Sequence, residues 1–149
     1  MRINLGCGQD IRRGWVNVDY CLDLGPGVTV WDLDEHPWPF EDACADEIWG
    51  LDIFEHVHDA VGFMVECHRI LKPGAPLRLR TPFWQWPDAF TDPTHKRFPT
   101  EHTFDFWVKG TTFYENQNRM FGGVEFIKVK VEPNPHTGQM DVVLRRPDA

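Results

Sequence analysis

At 149 residues and 17.4 kDa the chain fits one domain around one core, because a domain of this length buries roughly two thirds of its unfolded surface. A formal charge of -8 argues against a nucleic-acid phosphate backbone as the main partner, whose recognition depends on clustered Lys and Arg. No apolar run approaches the ~20 residues of a membrane span, and Met1–Gly6 lacks the charged, apolar and small-residue succession of a secretory leader, so a cytoplasmic location is expected. Cys7, Cys21, Cys44 and Cys67 contain no C-x-x-C pair and read as reduced thiols.

The chain opens with an apolar strand, Arg2–Leu5, that runs straight into Gly6-Cys7-Gly8. Two glycines around a small residue allow a tight turn and a close approach of backbone to ligand, although plain turns use the same pair. Only Gln9–Arg13 then precede Gly14, too few residues for a helix. The second strand, Trp15–Asp19, ends on a carboxylate that can accept hydrogen bonds from both hydroxyls of a ribose or serve as a strand-terminal turn. The third, Val28–Trp31, leads into Asp32-Leu33-Asp34, where an acidic group could receive an adenine amine beside an apolar side chain; a simple Asp turn is the alternative.

A fourth strand, Asp46–Leu51, precedes a helix predicted from Ile53 to Leu71, with Phe54, Val57, Val61, Met64, Val65, His68 and Leu71 on one face. Lys72-Pro73-Gly74 stops it and releases the chain into the strand Pro76–Thr81. A loop with Trp84, Trp86 and Asp92–Arg97 follows, then a helix predicted over Thr100–Val108 with Thr100 as N-cap. Strands Val124–Glu132 and Met140–Arg145 flank a Pro-, Asn- and Gly-rich loop and read as an antiparallel hairpin. The whole is an α/β single domain, residues 1–149, with a mostly parallel seven-strand sheet, a C-terminal antiparallel hairpin and a shortened or missing first helix.

The succession Leu5-Gly6-Cys7-Gly8, Gly14-Trp15-Val16-Asn17-Val18-Asp19, Asp32-Leu33, Pro39-Phe40, Glu55-His56-Val57, Leu71-Lys72-Pro73-Gly74 and Asp92-Pro93-Thr94-His95 resembles the small bacterial and phage class I S-adenosylmethionine-dependent methyltransferases. The resemblance spans about Ile3 to Trp107. It implies a Rossmann-like fold, S-adenosylmethionine as cofactor and S-adenosylhomocysteine as product. It places Gly6 and Gly8 by the methionine part, Asp19 at the ribose, Asp32 and Leu33 at the adenine, Gly50, Leu51 and Asp52 facing the sulfonium, and His56 near the cofactor carboxylate, with Leu5, Cys7 and Tyr20 also among the cofactor-binding residues. Two residues depart from the family pattern: Asn4 replaces its usual acidic residue, and Asp52 stands where the family's first histidine does.

The acceptor side is less legible. Trp84 and Trp86 could wall an apolar acceptor or fill the core beneath a long loop. Lys96 and Arg97 would suit an anionic acceptor, and His95 could be a general base or a loop-fixing hydrogen bonder. His56-x-His58 and Cys67-His68 do not have metal-site spacing, so no metal is expected; Glu55 and His56 read as a helix-terminal cap and a group near the cofactor. The implied activity is methyl transfer to an unidentified small-molecule or glycan acceptor. The alternative is a degenerate cofactor-binding module completed by a partner or a homodimer. A nicotinamide enzyme fits less well, since the full G-x-G-x-x-G and its opening helix are absent.

Overall fold

A computed structural model describes residues 1–149, and its centre is a seven-stranded sheet in the order β3-β2-β1-β4-β5-β7-β6. The strands are β1 (Arg2–Leu5), β2 (Val16–Asp19), β3 (Val28–Val30), β4 (Glu47–Leu51), β5 (Pro76–Pro82), β6 (Ile127–Asn134) and β7 (Gln139–Arg145). The first five run parallel, while β7 is antiparallel to β5 and to β6. Ile3, Leu5, Ile48, Leu77, Val142 and Leu144 are inaccessible to solvent and form the floor of the core. β6 is the exposed edge, protected from further pairing by its lysines, Pro133 and a register shift between Lys128 and Lys130.

One long helix, α1 (Ala60–Ile70), covers the sheet. It begins seven residues later than its predicted start at Ile53, because Asp59 is the N-cap and accepts from Gly62 N at 2.8 Å. Phe54 and Val57 are buried but lie on the turns before the helix. The buried face of α1 itself is Phe63, Met64, Cys67 and Ile70. Val61 and Val65 turn toward Gly122, at whose Cα a methyl group would fall 2.3 Å from Val65 Cγ2.

After β5 the chain forms α2 (Asp88–Thr91), a 3₁₀ helix at Thr103–Trp107, α3 (Thr112–Gln117) and a second 3₁₀ turn at Asn118–Phe121. The expected helix Thr100–Val108 is thus a 3₁₀ helix of five residues. Phe104 and Trp107 are buried three positions apart, a spacing that a threefold helix satisfies as well as an α-helix. The hairpin begins three residues later than predicted, because Phe126 is drawn into the core and its N–H donates to Trp107 O at 2.6 Å.

No helix lies between β1 and β2, and two features close the face it would have covered. Asn4 and Asn17 are register partners, both buried, with Asn4 Nδ2 donating to Asn17 Oδ1 at 3.2 Å. Asn4 also donates to Asp10 O at 2.8 Å, and Asn17 both accepts from Arg12 N at 2.9 Å and donates to Arg12 O at 3.0 Å. The pair therefore satisfies the backbone of the short replacement loop, using the donor of Asn4 and both ends of the Asn17 amide, and a carboxylate at position 4 could not supply that donor. Outside it, Trp15 meets Trp49 edge-on at 5.8 Å and the Arg12 guanidinium lies 4.2 Å from the Trp49 ring centroid. Asn17→Ala is expected to cost about 1–3 kcal/mol in urea unfolding, since it leaves the Arg12 N–H without a partner and removes one bond each from the Asn4 amide and Arg12 O.

Candidate active site

Both clefts of interest open at the carboxyl ends of the parallel strands, at the point where the chain leaves β1 toward β2 on one side and β4 lies on the other. The first has a volume of about 530 Å³ and runs from Gly6 across Asp19, Tyr20 and the Trp31–Asp34 turn to the segment after β4. That volume is within the range of small-molecule sites.

The turn after β1 is shaped by its neighbour. Gly6 has φ +60°, and a Cβ on it would lie 2.6 Å from the Ile53 side chain. Gly8 N donates to Asp19 Oδ2 at 2.8 Å and Cys21 N to Asp19 Oδ1 at 3.0 Å. These bonds hold the Asp19 carboxylate at the cleft wall, and each oxygen retains lone-pair capacity for a ligand hydroxyl.

The opposite wall is the segment Asp52–Asp59, held from three directions. Asp52 is in the left-handed region at φ +56°, its N–H donates to Arg80 O at 2.8 Å, and its carboxylate pairs with the Arg80 guanidinium. The Asp34 carboxylate accepts from His58 N at 2.8 and 2.9 Å and from Asp59 N at 2.9 Å. The half-buried Arg97 donates to Phe54 O and, at 3.1 Å, to His58 O, while its guanidinium carbon lies 5.3 Å from the Phe54 ring centroid.

A second, polar cleft of about 520 Å³ adjoins the first and is lined by Asp52, Glu55, His56, Pro82, Asp88, Thr91, Asp92, Pro93, His95 and Gln139. Asp52 and His56 border both clefts. Glu55 is 1% exposed and neither carboxylate oxygen has a hydrogen-bond partner. Burial pushes its carboxyl up to about 7, with the Asp52 charge adding to the effect. Burial also lowers His56, helped by the facing His95 ring at 4.8 Å.

Residues 4–79 match a family described as a methyltransferase domain, just over half of the chain. The chain belongs to that family. It is a class I S-adenosylmethionine-dependent methyltransferase by family, as the motif succession implied. Solved structures agree in fold. A chain of the complex between the Haloferax volcanii Trm112 methyltransferase activator and a methyltransferase is 14% identical with TM-score 0.70, the match covering 98% of this chain and 82% of that one. An Archaeoglobus fulgidus SAM-dependent methyltransferase is 15% identical with TM-score 0.70, covering 97% and 85%. One from Mesorhizobium loti is 16% identical with TM-score 0.65, covering 97% and 90%. No curated protein sequence matches the chain.

Of the residues expected at the cofactor, the methyltransferase brings Gly6, Asp19, Tyr20, Asp32, Leu33, Asp52 and His56 to the first cleft, together with Lys96. Leu5 and Cys7 instead have buried side chains in or beside the core, and Gly8, Gly50 and Leu51 lie off the cleft lining. Trp31, Ile53, Val57, His58 and Thr94 also line it without having been assigned there, although Val57 and Thr94 lie within recognised motifs, and Asp34 belongs to the Asp32-Leu33-Asp34 turn read as an acidic adenine contact. On the acceptor side, Arg97 is a correction: it is committed to backbone carbonyls and lines neither cleft. Trp84 and Trp86 line neither as well; Trp84 is partly exposed, and Trp86 packs on the hairpin turn at Gly138. Glu55 and His56 are not a helix cap, since α1 starts beyond them.

No helix is long and apolar enough to cross a membrane. Arg97→Met is expected to destabilise the methyltransferase by about 2–4 kcal/mol and to speed hydrogen exchange selectively at the His58 and Asp59 amides, measured by mass spectrometry.

Proposed function

We propose that this methyltransferase holds S-adenosylmethionine in the cleft between Gly6, Asp19 and Asp52 and methylates a small polar acceptor, a metabolite or a glycan, seated in the adjoining cleft around His95. The observation that carries this reading is the Asp19 carboxylate, fixed by two backbone N–H groups at the wall of a cleft of cofactor size. The residues present fit the group. Asp19 accepts from the ribose hydroxyls, Trp31, Asp32 and Leu33 border the adenine, and the acidic lining of Asp19, Asp32, Asp34 and Asp52 suits a cationic sulfonium. Lys96 is the lysine of that lining and is suited to a carboxylate at the far end. When bound, the cofactor supplies a methyl group already activated by its sulfonium.

The protein's own contribution is then mainly orientation, together with a place for the acceptor's proton. His95 Nδ1 lies 2.7 Å from Ala89 O, which as an acceptor fixes the proton on Nδ1 and leaves Nε2 with a lone pair in the second cleft. The second cleft carries Asp52, Glu55, Asp88 and Asp92 and no lysine or arginine, which favours a neutral hydroxyl or an amine over an anionic acceptor.

A second reading is favoured by the exposed Phe90 and Phe98, stacked at 4.3 Å, with Trp84 exposed on the same loop segment. They suit a partner or second copy that completes the acceptor site, and one solved relative in fold is a complex with an activator. Titration calorimetry with S-adenosylmethionine tests the main reading. Binding is expected for the native chain, weakened roughly 10- to 100-fold in Asp19→Ala and less in Asp19→Asn; no heat at about millimolar ligand would sink it. Binding without S-adenosylhomocysteine release across an acceptor panel, restored by a partner protein, would select the second reading.

A further inference from the structure

Glu55, His56 and His95 line the polar cleft and place one ligand-type atom each within 4.8 Å of one another, with His56 bordering the first cleft as well. Three features distinguish this trio from incidental polar residues. Glu55 is almost completely buried and neither of its oxygens makes a well-formed hydrogen bond, the nearby Thr81 hydroxyl being equally unpartnered, a condition that native interiors rarely leave unresolved. His95 has its Nδ1 at Ala89 O, so in the neutral imidazole the lone pair is on Nε2, with Asp92 Oδ2 3.8 Å away. His56 is fixed by a relay: the Thr94 hydroxyl donates to Asp92 Oδ1 at 2.7 Å, so its oxygen accepts from His56 Nδ1–H at 3.0 Å, and His56 Nε2 also keeps its lone pair. Hydrogen bonds from the far ring nitrogen to a carbonyl and to a carboxylate-linked hydroxyl are the outer support that metal-ligating histidines require.

We propose that Glu55, His56 and His95 form a binding site for a divalent transition-metal ion of the Zn²⁺ class. Two imidazoles and one carboxylate select Zn²⁺, Co²⁺ or Fe²⁺ over Mg²⁺, which prefers oxygen ligands and retained water. Tetrahedral coordination at about 2.1 Å sets ligand atoms roughly 3.4 Å apart, so the trio closes on the ion by small side-chain rotations. Three protein ligands leave a coordination position open toward the polar cleft. Insofar as the methyl-transfer reading holds, an acceptor hydroxyl, amine or thiol takes that position, and the ion acidifies it in place of His95, whose lone pair is then engaged.

The test is Zn²⁺ titration of the full chain after dialysis against EDTA, with Co²⁺ visible absorption as a second measure. One Zn²⁺ per chain is expected, with binding weakened at least about tenfold in each of Glu55→Gln, His56→Gln and His95→Gln and unchanged in His136→Gln on the exposed hairpin loop. Circular dichroism and urea midpoints check that each variant is folded, and the near-isosteric Glu55→Gln decides the matter if a histidine variant is not. Absence of 1:1 binding at about 1 mM Zn²⁺, or binding in folded Glu55→Gln equal to native, overturns the site. Metal binding is read without cofactor or acceptor, so its failure leaves methyl transfer standing, and failure of S-adenosylmethionine binding leaves the metal result standing.

Discussion

Arg97 ties the site together by donating to the backbone of a segment more than thirty-five positions earlier in the chain. Its two acceptors, Phe54 O and His58 O, bracket His56, so one guanidinium sets the course of the wall that both clefts share. Asp34 grips the same segment from the β3 side, through the amides that lead into α1. A charged group donating to two carbonyls, one of them on the buried Phe54, is hard to replace, because its loss removes a partner from both. The left-handed Asp52, paired with Arg80, marks where this wall leaves the sheet, and aspartate is among the few non-glycine residues that accept such a backbone.

The missing helix between β1 and β2 has a compact replacement. Asn4 and Asn17 supply matched donors and acceptors to the loop backbone, and the Trp15–Trp49–Arg12 cluster shields the sheet where helix side chains would have packed. The departure at Asn4 and the absence of the helix are therefore one adaptation. It leaves the cofactor side intact, because Gly6, Gly8 and Asp19 lie at the strand ends and need only the turn between them.

The two clefts divide the chemistry by polarity. The first combines apolar and acidic lining suited to an adenosyl sulfonium, whereas the second contains no hydrophobic residue among its lining groups. Glu55 lies in the wall of the second with an unmet demand for a proton or a cation, its carboxyl raised by burial. That demand is met by protonation or by an ion held with the two imidazoles, and metal titration distinguishes the two.

The amino-acid order by itself determined the sheet: seven strands within a few residues of their places, the parallel-then-hairpin order, the lost first helix and the acidic end of β2, because strand period, glycine turns and Asp19 are local signals. The long helix was legible in its C-terminal half but not at its start, since Phe54 and Val57 keep helical spacing while Asp34 and Arg97, from other parts of the chain, hold their segment as turns. Only the tertiary structure decided what the acceptor side is. It turned Arg97 into a fastener, moved Trp84 and Trp86 off the clefts, and gathered Glu55 and His56 with His95 across forty positions of sequence. Spacing rules see ligands on one helix or one loop; a trio made by folding the Asp92–Arg97 loop onto the end of β4 exists only through long-range hydrogen bonds that no local pattern encodes.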